Sequence, residues 1–125
     1  MFVLDNSKLP QSDLPGIRHT TLAGSEHGLR HLSVWRQTIA GGQATPPHRH
    51  DCEEVVVVES GRGALHIAGD IYPFGPDVTL VIPANLDHQI INVGAEPMVL
   101  TAAFSTSPVE VFLPDGQPLV LPWMS

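Results

Sequence analysis

Two short segments of the chain carry four side chains of metal-binding type. His48, His50 and Glu54 lie close together, whereas His88 follows much later in the sequence. Alternate side chains of an extended strand share a face, so His48 and His50 project to one side, and Glu54 has the same parity. His88 must reach them from a different strand, which requires a closed or sandwiched sheet. The spacing therefore predicts a β barrel around one cavity.

These four side chains also restrict the ion that such a cavity can hold. Three imidazoles and one carboxylate offer neutral nitrogen and anionic oxygen, which suit iron, manganese, nickel, copper or zinc rather than calcium. Four protein ligands leave about two of six octahedral positions open, as in a catalytic metal site rather than a closed structural one. We therefore predict His48, His50, Glu54 and His88 as metal ligands.

The two segments resemble the paired motifs of the cupin superfamily, in its small single-domain (cupin 2) form. The first motif combines a glycine, His-x-His, a glutamate and a second glycine at fixed spacings. It is matched in full by Gly42, His48, His50, Glu54 and Gly61. The second motif is matched by Pro83, His88 and Asn92. The matched positions lie between residues 42 and 92.

The second motif departs from the cupin pattern at two glycine positions. Asp77 and Asn85 stand where the pattern has glycine. Asparagine tolerates a left-handed backbone better than most residues, so Asn85 is expected to take over the turn. Gly75, two positions before Asp77, is expected to supply the preceding bend. Neither departure changes a metal ligand.

The resemblance implies a fold and a cofactor. The fold is all-β, a double-stranded β-helix (a cupin or jelly-roll barrel), in a single domain with almost no helix. The chain itself agrees, because no useful window shows an apolar stripe of helical period. The cofactor is one divalent transition metal per chain, with Fe²⁺ expected first and Mn²⁺, Ni²⁺, Zn²⁺ or Cu²⁺ as alternatives.

Size and composition limit the architecture and the partners. A chain of 125 residues is long enough for one core and too short for two cupin barrels. Its 11 glycines and 12 prolines favour many short strands joined by tight turns. The net charge of −7, without any cluster of basic residues, argues against nucleic acid or an anionic membrane surface as partner. A small molecule is the expected substrate.

The cellular location is inferred from what the sequence lacks. Cys52 is the only cysteine, so no intrachain disulfide can form. The first residues lack the basic flank and apolar core of a signal peptide, and no apolar run approaches the roughly 20 residues of a membrane-spanning helix. We therefore expect a cytoplasmic protein without a membrane partner.

The strand pattern divides the chain into three parts. Residues 1–31 are expected to form an N-terminal extended arm with a loop at 5–16, which packs on the barrel or on a partner subunit. Residues 32–113 form the cupin barrel, and residues 114–125 a C-terminal hairpin and tail. The apolar ends, 2–4 and 119–123, are expected to cross to a second subunit and form a homodimer. The alternative is that both ends pack on their own barrel.

Several other residues are candidates for the substrate pocket. Arg36 or Gln37 can hold a substrate carboxylate, depending on the register of their strand. Asn92 shares a face with His88 and is expected deeper in the same pocket. The remaining polar and aromatic candidates are assigned ordinary roles: packing on the outer sheet for Trp35, His66 and Tyr72, a partly buried thiol for Cys52, and surface or loop positions for His19, His27 and His31.

Three functions are compatible with this chemistry, and the catalytic residues beyond the metal ligands are unknown. The first is dioxygenase-like oxidation of a small organic molecule at the three-histidine, one-glutamate centre, as the cupin resemblance implies. The second is a non-redox isomerase or lyase acting on a sugar-derived or keto acid. The third is a non-catalytic cupin that binds or senses a small ligand. The ligands alone do not separate them.

Overall fold

Apolar and polar side chains alternate along most of the chain, and these stretches form strands. In a computed structural model that describes residues 2–125, helical structure is limited to two short 3-10 turns, Asn6–Lys8 and Ser25–His27. No helix in the described range is both long and apolar enough to cross a bilayer. The strands are β1 Gln11–Leu14, β2 Ile17–Ala23, β3 Ser33–Ile39, β4 Glu54–Ser60, β5 Gly63–Ile67, β6 Asp70–Phe74, β7 Val78–Ile82, β8 His88–Asn92 and β9 Met98–Phe104.

The strands form two antiparallel sheets. The larger has the order β1-β2-β3-β9-β4-β7 and the smaller the order β6-β5-β8. An extended segment between β3 and β4 continues the smaller sheet through isolated bridges, Ala44 to Ile91 and His48 to His88. Phe112 pairs with Arg49 on the other side of this segment. This jelly-roll arrangement confirms the predicted all-β cupin fold.

The core lies between the two sheets and follows the two-residue period of the strands. In β4, Val56 and Val58 are fully buried, while Val55 and Val57 face outward and are partly exposed. Burying a valine or leucine side chain contributes roughly 1.5–3 kcal/mol, so the inner positions supply most of the stabilisation. The same parity decides which polar side chains enter the barrel: Glu54 starts β4 on its buried face.

The two ends of the chain differ from the expectation in part. Residues 11–14, expected within a loop, form β1, which pairs with β2 through Leu14 and Ile17. The hairpin continues the large sheet, because Ile17 pairs with Ile39 of β3. The C-terminal segment packs on its own barrel, with Trp123 buried, whereas Phe2 is exposed. A domain boundary at residue 31 remains a prediction.

Several turns in the motif region adopt a left-handed backbone. Asn85 has a φ of 62°, which confirms that it replaces the motif glycine. Asp77 itself adopts a φ of 61°, so the bend assigned to Gly75 is made by the substituted residue. At Gly61 the φ is 103°, and a Cβ there would lie 2.8 Å from Cα of Met98. Conformation and close approach together demand glycine at this position.

Replacing Gly61 with alanine is expected to lower the free energy of unfolding by about 2 kcal/mol or more, because the new methyl meets strand β9 and the backbone is strained. The matched control is Gly75→Ala, since a Cβ at Gly75 has no atom within 4 Å. Urea denaturation of both variants measures the difference. Equal stabilities would contradict the close approach of Gly61 to β9.

Candidate metal centre and ligand cavity

A pair of backbone hydrogen bonds brings the two motif segments together. The amide of His48 donates to the carbonyl of His88 at 3.0 Å, and the amide of His88 donates back to the carbonyl of His48 at 2.8 Å. Residues opposite each other in such a pair project their side chains from the same face. The two rings therefore lie side by side, with centroids 4.4 Å apart.

The third histidine reaches the same place from the extended segment. One ring nitrogen from each of His48, His50 and His88 lies within 4.8 Å of the others, and all three residues are buried. The carbonyl of His50 accepts a hydrogen bond of 2.7 Å from the amide of Asn85. The left-handed turn at Asn85 thus ties the loop before β8 to the segment that carries His50.

Backbone carbonyls orient all three rings. Nδ1 of His48 donates to the carbonyl of Pro46 at 2.7 Å, and Nδ1 of His88 donates to the carbonyl of Leu86 at 3.0 Å. Nδ1 of His50 donates to the carbonyl of Glu110 at 2.8 Å. A carbonyl can only accept, so each neutral ring carries its proton on Nδ1 and leaves Nε2 with a free lone pair. Metal-bound histidines usually have this outer partner.

Glu54 completes the donor set from the first position of β4. Its Oε1 lies 3.3 Å from Nε2 of His88 and 3.5 Å from Nε2 of His50. Within residues 2–125, Oε1 of Glu54 and Nε2 of His88 are buried without an aligned hydrogen-bond partner. Buried polar atoms without partners are costly unless something else satisfies them. These residues therefore fit a divalent metal, and the identity of the ion is left open by the donor set.

The electrostatics of the rings agree with this assignment. Burial lowers the pKa of His48 to about 4, and the neighbouring rings of His88 and His50 add to the shift. Burial also lowers the pKa of His50. Burial acts in the same direction on His88, but the nearby Glu54 carboxylate outweighs it and raises the pKa of that ring. At neutral pH, His48 and His50 are thus neutral, as a metal ligand must be.

His48, His50 and Glu54 line one end of a narrow cavity, and His88 lies behind them. The cavity contains about 510 Å³ of empty space including its mouth. Its walls are largely aliphatic, with three aromatic side chains among them, Trp35, Phe104 and Trp123. The other lining residues come from β1, β2, β3, the segment between β3 and β4, β8, β9 and the C-terminal segment, and include Trp35, Gln37, Thr45, Ile90, Phe104, Leu121 and Trp123.

The three candidate substrate residues occupy different environments. Gln37 lines the cavity, whereas Arg36 projects from the opposite, exposed face of β3. Asn92 is buried, but its amide donates to the carbonyls of Ile39 and Glu96, and its oxygen accepts from the amide of Gly94. Asn92 therefore links β8 by hydrogen bonds to the end of β3 and to the turn between β8 and β9. Of the three, only Gln37 lines the cavity.

Some side chains outside the motifs lie elsewhere than expected. His19 was expected at the surface, which is wrong: the ring is 1% exposed. Trp35, expected on the outer sheet, lines the cavity instead. Ile17, His19 and Thr21 are the buried positions of β2, so strand parity was a signal that could have placed His19 inside. Tyr72 is half exposed, and Cys52 is a buried free thiol whose pKa is raised to about 11, chiefly by burial.

Comparison with known proteins identifies the family of the chain and agrees with its fold. The family model described as auxin binding protein matches residues 1–122. Auxin-binding protein 1 of Arabidopsis thaliana is 40% identical over 119 residues, covering 86% of this chain and 60% of the relative. Auxin-binding protein T85 of Nicotiana tabacum is 41% identical over 123 residues, covering 87% and 66%. The chain thus spans less than two thirds of these relatives.

Solved structures share the architecture at low sequence identity. The polyketide cyclase RemF from Streptomyces resistomycificus superimposes with a TM-score of 0.74 at 17% identity, covering 97% of this chain and 87% of that protein. Identity at this level shows a common fold and no more.

Replacing His50 or Glu54 with alanine is expected to abolish stoichiometric metal binding, with affinity falling about 100-fold or more, because each change removes a direct ligand. The β fold should persist, since the apolar core does not depend on the ion. Elemental analysis after metal loading and dialysis, together with circular dichroism, measures both effects. His31→Ala, at an exposed loop residue, is the control. Full metal occupancy in both variants would refute the ligand assignment.

His19 is expected to make the fold sensitive to acid. Burial lowers the pKa of His19 to about 4, against an ordinary value of 6.5. Between these values the unfolded chain binds a proton that the folded chain does not, so the free energy of unfolding falls as the pH drops through this window, by at most about 3 kcal/mol. In His19→Gln this part of the pH dependence should vanish. Urea titrations from pH 7 to 4 compare the slopes, and identical slopes would contradict the buried neutral ring.

Proposed function

Because the chain belongs to the auxin-binding protein family and has a cupin fold, we propose that it binds a small aromatic carboxylic acid at its metal centre. The observation that carries this proposal is the continuity of the cavity: the walls that contain His48, His50 and Glu54 also contain Trp35 and Phe104. One end thus offers an ion site and the other a surface for a ring. An auxin-like acid, with a flat ring and a short carboxylate arm, has these two parts.

The charges around the cavity favour an anionic ligand whose binding depends on the metal. Among the described residues that line the cavity there is no lysine or arginine, and the chain carries a net charge of −7. A buried carboxylate without a cationic partner is strongly disfavoured. A divalent metal held by three neutral histidines and Glu54 supplies a net positive charge, and therefore a Lewis-acid partner for one ligand carboxylate.

The walls supply shape and a few polar contacts. The cavity is narrow, and the rings of Trp35 and Phe104 lie with centroids 4.4 Å apart, so they present a continuous aromatic surface. Aromatic side chains stack favourably on flat ligands at little entropic cost. Oγ1 of Thr45 accepts from the amide of Ile90, which leaves its proton free to donate to an oxygen of the ligand. Gln37 provides a second polar group at the wall.

The catalytic alternatives rest on the same centre. Dioxygenase-like oxidation with Fe²⁺ fits the donor set and the water-poor walls, and Lewis-acid isomerase or lyase chemistry fits them equally. Beyond the proposed ligands, the described residues that line the cavity include no Asp, Glu, His, Lys, Tyr or Cys that could act as a general base, which favours binding over proton transfer. The homodimer and the cytoplasmic location remain predictions, although the C-terminal segment, expected to cross to the second subunit, packs on its own barrel.

Metal-loaded protein is expected to bind indole-3-acetic acid in isothermal titration calorimetry. Metal-free protein, and indole-3-ethanol as a ligand without the carboxylate, should bind about 100-fold more weakly, because the charged contact is lost. Leu121→Ala, which trims the cavity wall, should weaken binding about fivefold to tenfold. The matched control Val120→Ala, at a residue 86% exposed, should leave affinity unchanged.

Equal binding by the metal-free protein would overturn the proposal. An oxygen electrode applied to the iron-loaded complex separates the alternatives. Oxygen uptake coupled to loss of the ligand would favour the dioxygenase, whereas recovery of unaltered ligand supports a binding protein.

A further inference from the structure

His19 is a buried residue that the metal centre does not use. It lies in the middle of β2 and is 1% exposed, but it does not line the cavity itself. Its ring instead contacts three residues that do: Gln37, Trp35 and Trp123. These come from strand β3 and from the C-terminal segment, which are far apart in the sequence. One imidazole therefore joins two separate parts of the cavity wall.

Hydrogen bonds link His19 to Gln37 in a defined direction. Nε2 of Gln37 lies 3.1 Å from Nδ1 of His19, and Nε2 of His19 lies 2.7 Å from Oγ1 of Thr21. The amide nitrogen of Gln37 can only donate, so Nδ1 accepts and the ring proton resides on Nε2. That proton is donated to Thr21. The oxygen of the Gln37 amide, which has no hydrogen-bond partner in the described part of the chain, is left available to a ligand.

Stacking links His19 to Trp123. The two rings are nearly parallel, with an interplanar angle of 5° and centroids 3.5 Å apart, and Trp35 meets both rings edge-on. Trp123 lies in a segment without a regular strand, so the stack supplies orientation that a sheet would otherwise give. The indole of Trp35 also holds the C-terminal segment in place, because its Nε1 donates to the carbonyl of Ser125 at 2.8 Å.

We propose that His19 is a positioning residue for ligand recognition: it sets the direction of the Gln37 amide and seats the Trp123 ring. This inference rests on the proposed function, since it assigns the ligand wall of the same cavity. A residue that only filled space here would need neither nitrogen. Both nitrogens are engaged, and one of them holds a side chain that faces the ligand space.

A double-mutant cycle tests the proposal in metal-loaded protein, with indole-3-acetic acid as the probe. His19→Phe keeps a flat ring against Trp123 but cannot accept from Gln37, so affinity should fall about tenfold. Gln37→Leu should cause a similar loss. The double variant should be no weaker than the weaker single variant, because His19 acts through Gln37. Metal content should be that of the wild type in all three.

Additive losses in the cycle, or an unchanged affinity in His19→Phe, would overturn the proposal. If His19→Phe does not fold, Thr21→Val takes its place, since it removes the acceptor that selects the ring tautomer, and it should weaken binding about threefold. If its affinity is unchanged, the proposal is equally overturned.

Nitrogen-15 NMR of the unmutated protein gives a test that needs no ligand. The Nε2–H form of His19 is expected at pH 7, and an Nδ1–H or doubly protonated ring would refute the positioning role. If the wild type binds no carboxylate while His19 shows the Nε2–H form, the proposed function fails and the contact between His19 and Gln37 stands. The two failures are thus distinguishable.

Discussion

The reciprocal backbone hydrogen bonds between His48 and His88 are the constraint on which the site depends. They fix the extended segment after β3 against the start of β8, and so decide that two sequence motifs meet at one point. A shift by one residue would turn either ring to the other face of its sheet. The turn at Asn85, bonded to the carbonyl of His50, secures the same register from the loop side. Main-chain hydrogen bonds therefore bring the three histidine rings together.

Burial of the four candidate metal ligands costs free energy that the apolar core must offset. Three imidazoles and a carboxylate lie buried together, with Oε1 of Glu54 and Nε2 of His88 lacking aligned partners. Burial of such groups is unfavourable unless a charge or hydrogen bond compensates. The outer nitrogens of the rings are satisfied by carbonyls, so the uncompensated atoms are confined to the inner side of the cluster. An ion can bind on this inner side; among the described residues, one further buried polar atom lacks a partner, Nε1 of Trp123.

The sequence was sufficient to predict the fold, through its resemblance to the cupin motifs, and to predict the grouping of the histidines. Strand parity and the fixed spacings placed His48 and His50 on one side, and the tolerance of asparagine for positive φ explained the turn at Asn85. The walls were not predictable in the same way. Strand parity could have grouped His19 with Ile17 and Thr21, but the face of β3 that carries Trp35 inward is set by pairing with β9, far along the chain. To predict that Trp123 lines the cavity, one would have to know that the C-terminal segment folds back on its own barrel.

The proposed metal and the proposed ligand would thus contact different parts of the chain. The four candidate ligands lie within residues 42–92, the range that carries the cupin motifs, whereas much of the cavity wall comes from outside it. Leu14 and Ile17 enter from the β1–β2 hairpin, and Leu121 and Trp123 enter from the C-terminal segment. A protein can therefore keep the ion site and the barrel while its flanking segments change the ligand.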